Sequence, residues 1–191
     1  MQRISLTKTA HTVIQQHVHT GDTAIDATVG NGHDTLFLAE LTGPNGKVYG
    51  FDIQPSALAS ARFKLEQHKL GSHITFINDS HAHIAELVPK AHHGNIKAVM
   101  FNLGYLPGSD KTVITQSEST LTALNATLKI LSSQGVITIL AYPGHSGGEQ
   151  ETRSLQTWCE QLDKHRYTVS MLHGDEQKNT SPRLFVIQLN R

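Results

Sequence analysis

Apolar residues along this chain follow two spacings in turn. Val13, Ile14 and Val18 fall on one side of a helix over residues 6–19, the spacing of an amphipathic helix. "TAIDATV" (23–29) is a short, nearly unbroken apolar run and reads as a strand. The exchange then repeats, with a helix at 34–41, a turn at 43–46, a strand at 47–53 and a helix at 55–70 that opens on Pro55, where proline suits a first helical turn. A strand at 73–79, a helix running to about Val88, a strand at 96–103 and a mostly helical stretch at 112–133 follow. A strand at 135–142, rich in β-branched residues, and a helix at 148–165 come next. "YTVSMLH" and "PRLFVIQLN" close the chain as two strands. Strands that alternate with helices imply an α/β protein with a mostly parallel sheet covered on both faces. The last two strands have no helix between them, so an antiparallel edge pair is expected.

Composition narrows the picture. At 191 residues the chain is expected to form one domain, over 1–191, large enough to bury a core. Sixteen basic residues balance sixteen acidic ones, so no global positive field recruits nucleic acid, although a local patch could still serve. The one cysteine, Cys159, excludes an internal disulfide, and its place beside Trp158 on the apolar side of a helix suits a buried thiol. "MQRISLTKTAHTVIQQHV" has polar residues throughout, unlike a signal peptide. No apolar run is long enough for a membrane span, and the reading is a cytoplasmic protein without membrane partners. The thirteen histidines include H-x-H at 17/19 and 81/83 and a pair at 92/93. Zinc needs three or four convergent ligands, so these are read as surface histidines and no metal is expected. "KHR" (164–166) reads as a charge cluster at a helix C-terminus.

The chemistry is concentrated at the ends of the strands. "DATVGNGHDT" (26–35) follows the first strand and leads into the first crossover helix. Glycine lets backbone approach a ligand, and a helix N-terminus offers free N–H groups to it. Asp52 lies twenty residues beyond Gly32, at the end of the second strand, where a carboxylate can accept both hydroxyls of a ribose. Asp79, Ser80 and His81 end the third strand, and the Asp79 carboxylate could accept from an adenine amino group. Three successive strand ends thus suit one nucleoside-shaped ligand.

D-x-T-x-G-x-G, starting at Asp26, resembles the acidic-x-G-x-G-x-G signature of Rossmann-like class I methyltransferases, which bind S-adenosyl-L-methionine; Thr28 stands where the first glycine would be. The missing third glycine of G-x-G-x-x-G disfavours NAD. The resemblance implies a mostly parallel seven-stranded sheet with an antiparallel last strand and helices on both faces. It places Asp26, Thr28, Gly30, Asn31, Gly32 and Asp34 near the methionine part of the cofactor. It places Asp52 and Gln54 near the ribose, and Asp79, Ser80 and His81 near the adenine.

The fourth strand ends "FNLGYLPGSDK" (101–111). Amino-methyltransferases often carry N-P-P-Y here, and this chain keeps Asn102 and Tyr105 while losing both prolines. The fifth strand ends "AYPGHSGG" (141–148), which turns Tyr142 and His145 toward the same cleft. Taken as a set, DATVGNGHDT, FDIQ, NLGYLPGSDK and YPGH resemble the small family labelled "putative rRNA methylases". Members of that family methylate the aminomethyl group of 5-aminomethyl-2-thiouridine at the tRNA wobble position. The resemblance implies Asn102, Tyr142 and His145 as catalytic candidates. Asn102 would orient the amine, Tyr105 or Tyr142 would pack the flipped base, and His145 would relay a proton. Tyr105, Lys111 and Arg153 are candidate contacts for the anticodon loop of tRNA, with Lys178 and Arg183 as possible further members of a phosphate patch. A homodimer is implied by the resemblance alone. Methylation of rRNA or a small molecule, and a non-enzymatic nucleoside-binding module that docks RNA, stay open as alternatives.

Overall fold

The hydrophobic pattern becomes a layered sheet in a computed structural model that describes residues 5–104, 117–145, 147–175 and 177–190. The strands are β1 (Thr23–Asp26), β2 (Lys47–Phe51), β3 (Ile74–Ile77), β4 (Ile96–Asn102), β5 (Leu131–Ala141), β6 (Tyr167–His173) and β7 (Arg183–Leu189). The helices are α1 (Leu6–Gln15), α2 (His33–Thr42), α3 (Pro55–Gln67), α4 (Ile84–Leu87), α5 (Ser117–Ile130) and α6 (Gly148–Glu160). One sheet runs in the order β3-β2-β1-β4-β5-β7-β6. β1 through β5 pair in parallel. β7 lies antiparallel to both neighbours, inserted between β5 and β6. Strand order reverses between β1 and β4, and there the chain leaves its carboxyl-end crevice.

Period-two alternation along each strand feeds two cores. Ile25, Tyr49, Phe51, Val99, Phe101, Ile137 and Ile139 face a cluster closed by Leu124, Leu155 and Trp158. Ala24, Val48, Ala98, Met100, Val136 and Leu140 face the other, closed by Leu6, Ala10, Ile14, Leu38 and Leu65. The strands therefore read as continuous apolar runs because both faces are covered. α1 is started by Ser5, whose side chain accepts the Lys8 N–H, an N-cap bond that satisfies one of the unpaired donors of the first turn.

Several ends differ from the pattern-based expectation. β1 stops at Asp26 and not at residue 29, because Ala27 to Val29 bend into the turn while still bonding Met100 and Phe51 through backbone. Residues 131–134 belong to β5, not to the preceding helix, since Leu131 pairs with Ile96. α6 ends at Glu160, so Lys164, His165 and Arg166 sit in the turn before β6 and not on a helix. No described helix is long and apolar enough to cross a membrane.

Candidate active site

The turn after β1 is built around a buried acid. Asp26 is fully buried; its Oδ1 accepts the Thr28 N–H at 3.1 Å and its Oδ2 accepts the Thr35 hydroxyl at 2.5 Å. Gly30 (φ 50°) and Gly32 (φ 73°) take the left-handed conformation that swings the chain into α2, a region costly for other residues. A Cβ on Gly32 would lie 2.6 Å from the Cβ of Ala61, so this glycine also lets α2 and α3 meet. Asn31, between the two glycines in sequence, is half-buried.

Asp52, just beyond β2, is bonded into the same turn. Its Oδ2 accepts the Gly30 N–H and its Oδ1 the Gln54 N–H, each at 2.9 Å. A carboxylate has about four acceptor positions, so each oxygen keeps capacity for a ligand. Ile53 beside it is 55% exposed, an apolar surface at the rim that the sequence reading missed. Beyond β3, Asp79 Oδ1 accepts the Ser80 N–H at 2.6 Å and lies 2.7 Å from His83 Nδ1. The His83 hydrogen bond, helped by the Ser80 N–H, holds the Asp79 carboxyl below its usual range and pushes His83 up.

His81 corrects the surface reading of the histidines. It is buried, and its Nδ1–H donates to the Ala27 carbonyl at 3.0 Å. The 3-10 turn His81–His83 sends residue 81 inward and residue 83 outward, which is why an H-x-H pair splits. Burial lowers the pKa of His81, so the ring is neutral, and its buried Nε2 has no hydrogen-bond partner among the described residues.

The ends of β4 and β5 complete the crevice. Thr28 Oγ1 accepts the Asn102 N–H at 2.7 Å; the residue in place of the first glycine thus ties the β1 turn to the end of β4. The Asn102 side chain is exposed. Gly104 (φ 133°) borders the β5 end, where a Cβ would lie in ordinary contact with His145 Nε2 at 3.4 Å. Gly148 allows a truly close approach, since a Cβ there would strike the Tyr142 carbonyl and lie 2.8 Å from His145 Nε2. Tyr142 is half-buried; burial, then the negative charge of Asp34, push its pKa up, and the Thr7 side chain opposes that shift.

Direct hydrogen bonds thus link Asp26 to Asn102 through Thr28, and Asp52 to Gly30 in the same turn, and Tyr142 and His145 border Gly104. Arg153 is exposed on α6 and pairs with Glu149 at 2.8 Å, while Lys178 lies near Asp175 and Arg183 donates to Gln156; among the described residues no ion pair or hydrogen bond joins these into one patch. Tyr105 and Lys111 lie outside the described residues. Thr7, His11 and Thr35 were missed, although Thr35 sits inside the turn motif and Thr7 and His11 are spaced by one helical turn. Burial pushes the Cys159 thiol up to about 12, in keeping with an inert thiol. Among the described residues no group of three or more His, Cys, Asp or Glu could hold a metal ion.

The electrostatics favour a cation. Burial, then the charges of Asp34 and Asp52, push Asp26 up to about 7. Three acidic residues on three adjoining strand ends, with Asp34 in the first turn of α2, accept hydrogen bonds and attract positive charge. A ligand rich in hydroxyl, amine and ammonium donors matches them.

Comparison with known proteins agrees with this geometry. Residues 48–188 match a family model described as "Putative rRNA methylase". The chain is 39% identical over 165 residues to the tRNA (mnm(5)s(2)U34)-methyltransferase, chloroplastic, of Arabidopsis thaliana, across 82% of this chain and 59% of that protein. It is 31% identical over 81 residues to the ribosomal RNA small subunit methyltransferase H of Heliobacterium mobile, across 42% of this chain and 25% of that one. The chain thus spans less than two thirds of either curated relative. Among solved structures, a "putative rRNA-methylase" from Clostridium thermocellum superposes over 100% of both chains, with TM-score 0.93 and 36% identity. A "putative methyltransferase" from Streptococcus mutans, in complex with SAH, covers 99% of this chain and 100% of its own, with TM-score 0.87 and 36% identity.

Proposed function

We propose, for a chain that belongs to the "Putative rRNA methylase" family, that it methylates the aminomethyl nitrogen of 5-aminomethyl-2-thiouridine at the tRNA wobble position, using S-adenosyl-L-methionine. Its fold is the Rossmann-like class I methyltransferase fold, as the sheet order and the two close structural likenesses show. The observation that carries the cofactor reading is the convergence of Asp26, Asp34 and Asp52 beside a left-handed glycine turn, where strand order reverses. Their chemistry fits the group, because an ammonium, a sulfonium and two ribose hydroxyls are what such acceptors bind. When bound, S-adenosyl-L-methionine supplies an electrophilic methyl group on a positively charged sulfur.

The remaining work falls to this chain's own residues. Asp52, braced by the Gly30 and Gln54 N–H groups, accepts the ribose hydroxyls without having to reorient. Asp79 and His81 offer acceptors near the base. Asn102, fixed through its N–H to Thr28, presents its side-chain oxygen to the substrate amine. Holding the nucleophile close and aligned is worth roughly 7–11 kcal/mol in favourable cases. An alkylammonium has no lone pair, so it must first lose a proton, and desolvation favours that loss. His145, at the meeting of the β4 and β5 ends, takes the proton toward solvent. Tyr142, with its pKa raised, stays a neutral phenol at neutral pH and serves as a packing surface or donor, not a base.

The tRNA substrate is supported by the Arabidopsis relative's stated activity, and ribosomal RNA by the Heliobacterium one. The wobble amine is favoured because the larger share of this chain aligns with the former. We further take the protein to act in the cytoplasm as a homodimer on the anticodon loop. Nucleoside mass spectrometry of tRNA from cells lacking the protein is the test. The methylated wobble base should vanish and its free-amine precursor accumulate, and the purified protein should convert that precursor. Unchanged tRNA with an undermethylated ribosomal nucleoside would replace the substrate while keeping the reaction.

A further inference from the structure

α1 reaches the crevice with two side chains one turn apart. Thr7 acts on the Tyr142 phenol, lowering its pKa against the effect of burial, and His11 Nε2 lies 2.6 Å from Asp34 Oδ1. The His11 ring is also stacked on Phe37, with centroids 3.8 Å apart and planes 4° apart. The imidazole is therefore fixed at its tip by Asp34 and on its face by Phe37, three residues further along α2. Asp34 is itself buried, and its Oδ2 accepts no hydrogen bond among the described residues. The charge of Asp34 is felt by both Asp26 and Tyr142, which sets it between the β1 turn and the end of β5. A buried carboxylate with one oxygen anchored, the other open and a second acid nearby is short of positive charge.

We propose that His11 is a positioning residue: its Nε2–H holds Asp34 by Oδ1 so that Oδ2 receives a primary ammonium of the ligand. This rests on the reading of the crevice as the S-adenosyl-L-methionine site. Two ammonium groups would meet there, the one on the cofactor's amino-acid end and the one on the substrate's aminomethyl arm. Both need the same partner, a carboxylate oxygen held in a fixed direction. An imidazole N–H bonded to the other oxygen provides that.

Calorimetry with S-adenosylhomocysteine and with 5′-methylthioadenosine separates the sources, because the second ligand shares the nucleoside and thioether but lacks the amino-acid group. For a cofactor ammonium, His11→Ala should weaken S-adenosylhomocysteine about tenfold, the scale of one charge-assisted hydrogen bond, and leave methylthioadenosine unchanged. His11→Gln, whose amide N–H can still donate to Asp34, should recover most of the loss. For a substrate ammonium, both ligands bind His11→Ala normally, while half-saturation by tRNA in single-turnover methylation rises about tenfold and the Gln variant again recovers it. Equal losses for both ligands, no loss in either assay, or a Gln variant as impaired as the Ala variant overturns the proposal; thermal unfolding of each variant checks that it is folded. If the unaltered protein binds neither ligand, the cofactor reading fails and takes this inference with it. If it binds both and ignores His11→Ala in both assays, the inference alone fails.

Discussion

Asp52 and Asp26 are both acids at strand ends, yet their surroundings set them to opposite tasks. Both Asp52 oxygens face backbone N–H donors, so an amide cannot replace the carboxylate without turning its own NH2 toward one of them. Asp52→Asn should therefore weaken S-adenosyl-L-methionine nearly as much as Asp52→Ala, each by at least about tenfold, as read by calorimetry; an Asn variant with unaltered affinity would remove this carboxylate from the site. Asp26 is different, because burial pushes it up to about 7 from about 4 in an unfolded chain. Folding favours its acid form, so its contribution to stability is fully present below about pH 4 and is lost as pH rises through about 7. The shift corresponds to roughly 4 kcal/mol. Asp26→Asn keeps an acceptor for the Thr28 N–H and offers an amide to Thr35. Its urea midpoint, relative to the unaltered protein, should rise from about pH 4.5 to about pH 8.5, and a constant difference across that range would refute the assignment. A bound cation reverses the preference for the acid, so ligand binding near neutral pH should release a proton and make the binding enthalpy depend on the buffer.

Between elements, small residues decide how closely the strand ends assemble. Gly32 combines a left-handed backbone with a close approach to Ala61. Gly32→Ala should cost more than about 2 kcal/mol in chemical denaturation, through strain together with overpacking. Thr28→Ala removes only the acceptor for the Asn102 N–H, a loss of about 1 kcal/mol. Its larger effect is expected on the rate of methyl transfer, with cofactor affinity little changed, since the side chain it steadies is the one proposed to hold the amine. The motif DATVGNGHDT made the turn legible, but not this bond, because nothing in a linear string pairs residue 28 with residue 102. Element ends were obscured for a related reason. Leu131 follows Ile130 without any breaker, and it becomes the first residue of β5 only because Ile96 is there to pair with it.

At the scale of the whole molecule, the alternation of helix and strand spacing was sufficient to indicate the layered sheet, since both faces of every inner strand must be apolar. The acids at three strand ends were equally legible, because in this topology sequence position fixes which end of the sheet they occupy. The contribution of α1 was not. Its apolar stripe shows that it packs on the sheet, yet Thr7 and His11 gain meaning only from the residues it packs beside. Leu124 and Ile139, both fully buried in one core, should each cost about 2–5 kcal/mol on replacement by alanine, measured by urea unfolding. The place of β7 has a different kind of consequence. β6 is synthesised before β7, but it has no neighbour in the sheet until β7 fills the gap beside β5. A nascent chain that has emerged as far as residue 173 therefore carries an open edge on β5 and a wholly unpaired β6, and such edges invite pairing with other chains. Ribosome-stalled chains of that length should be protease-sensitive and held by chaperones, whereas chains extended past Leu189 should become resistant in a single step.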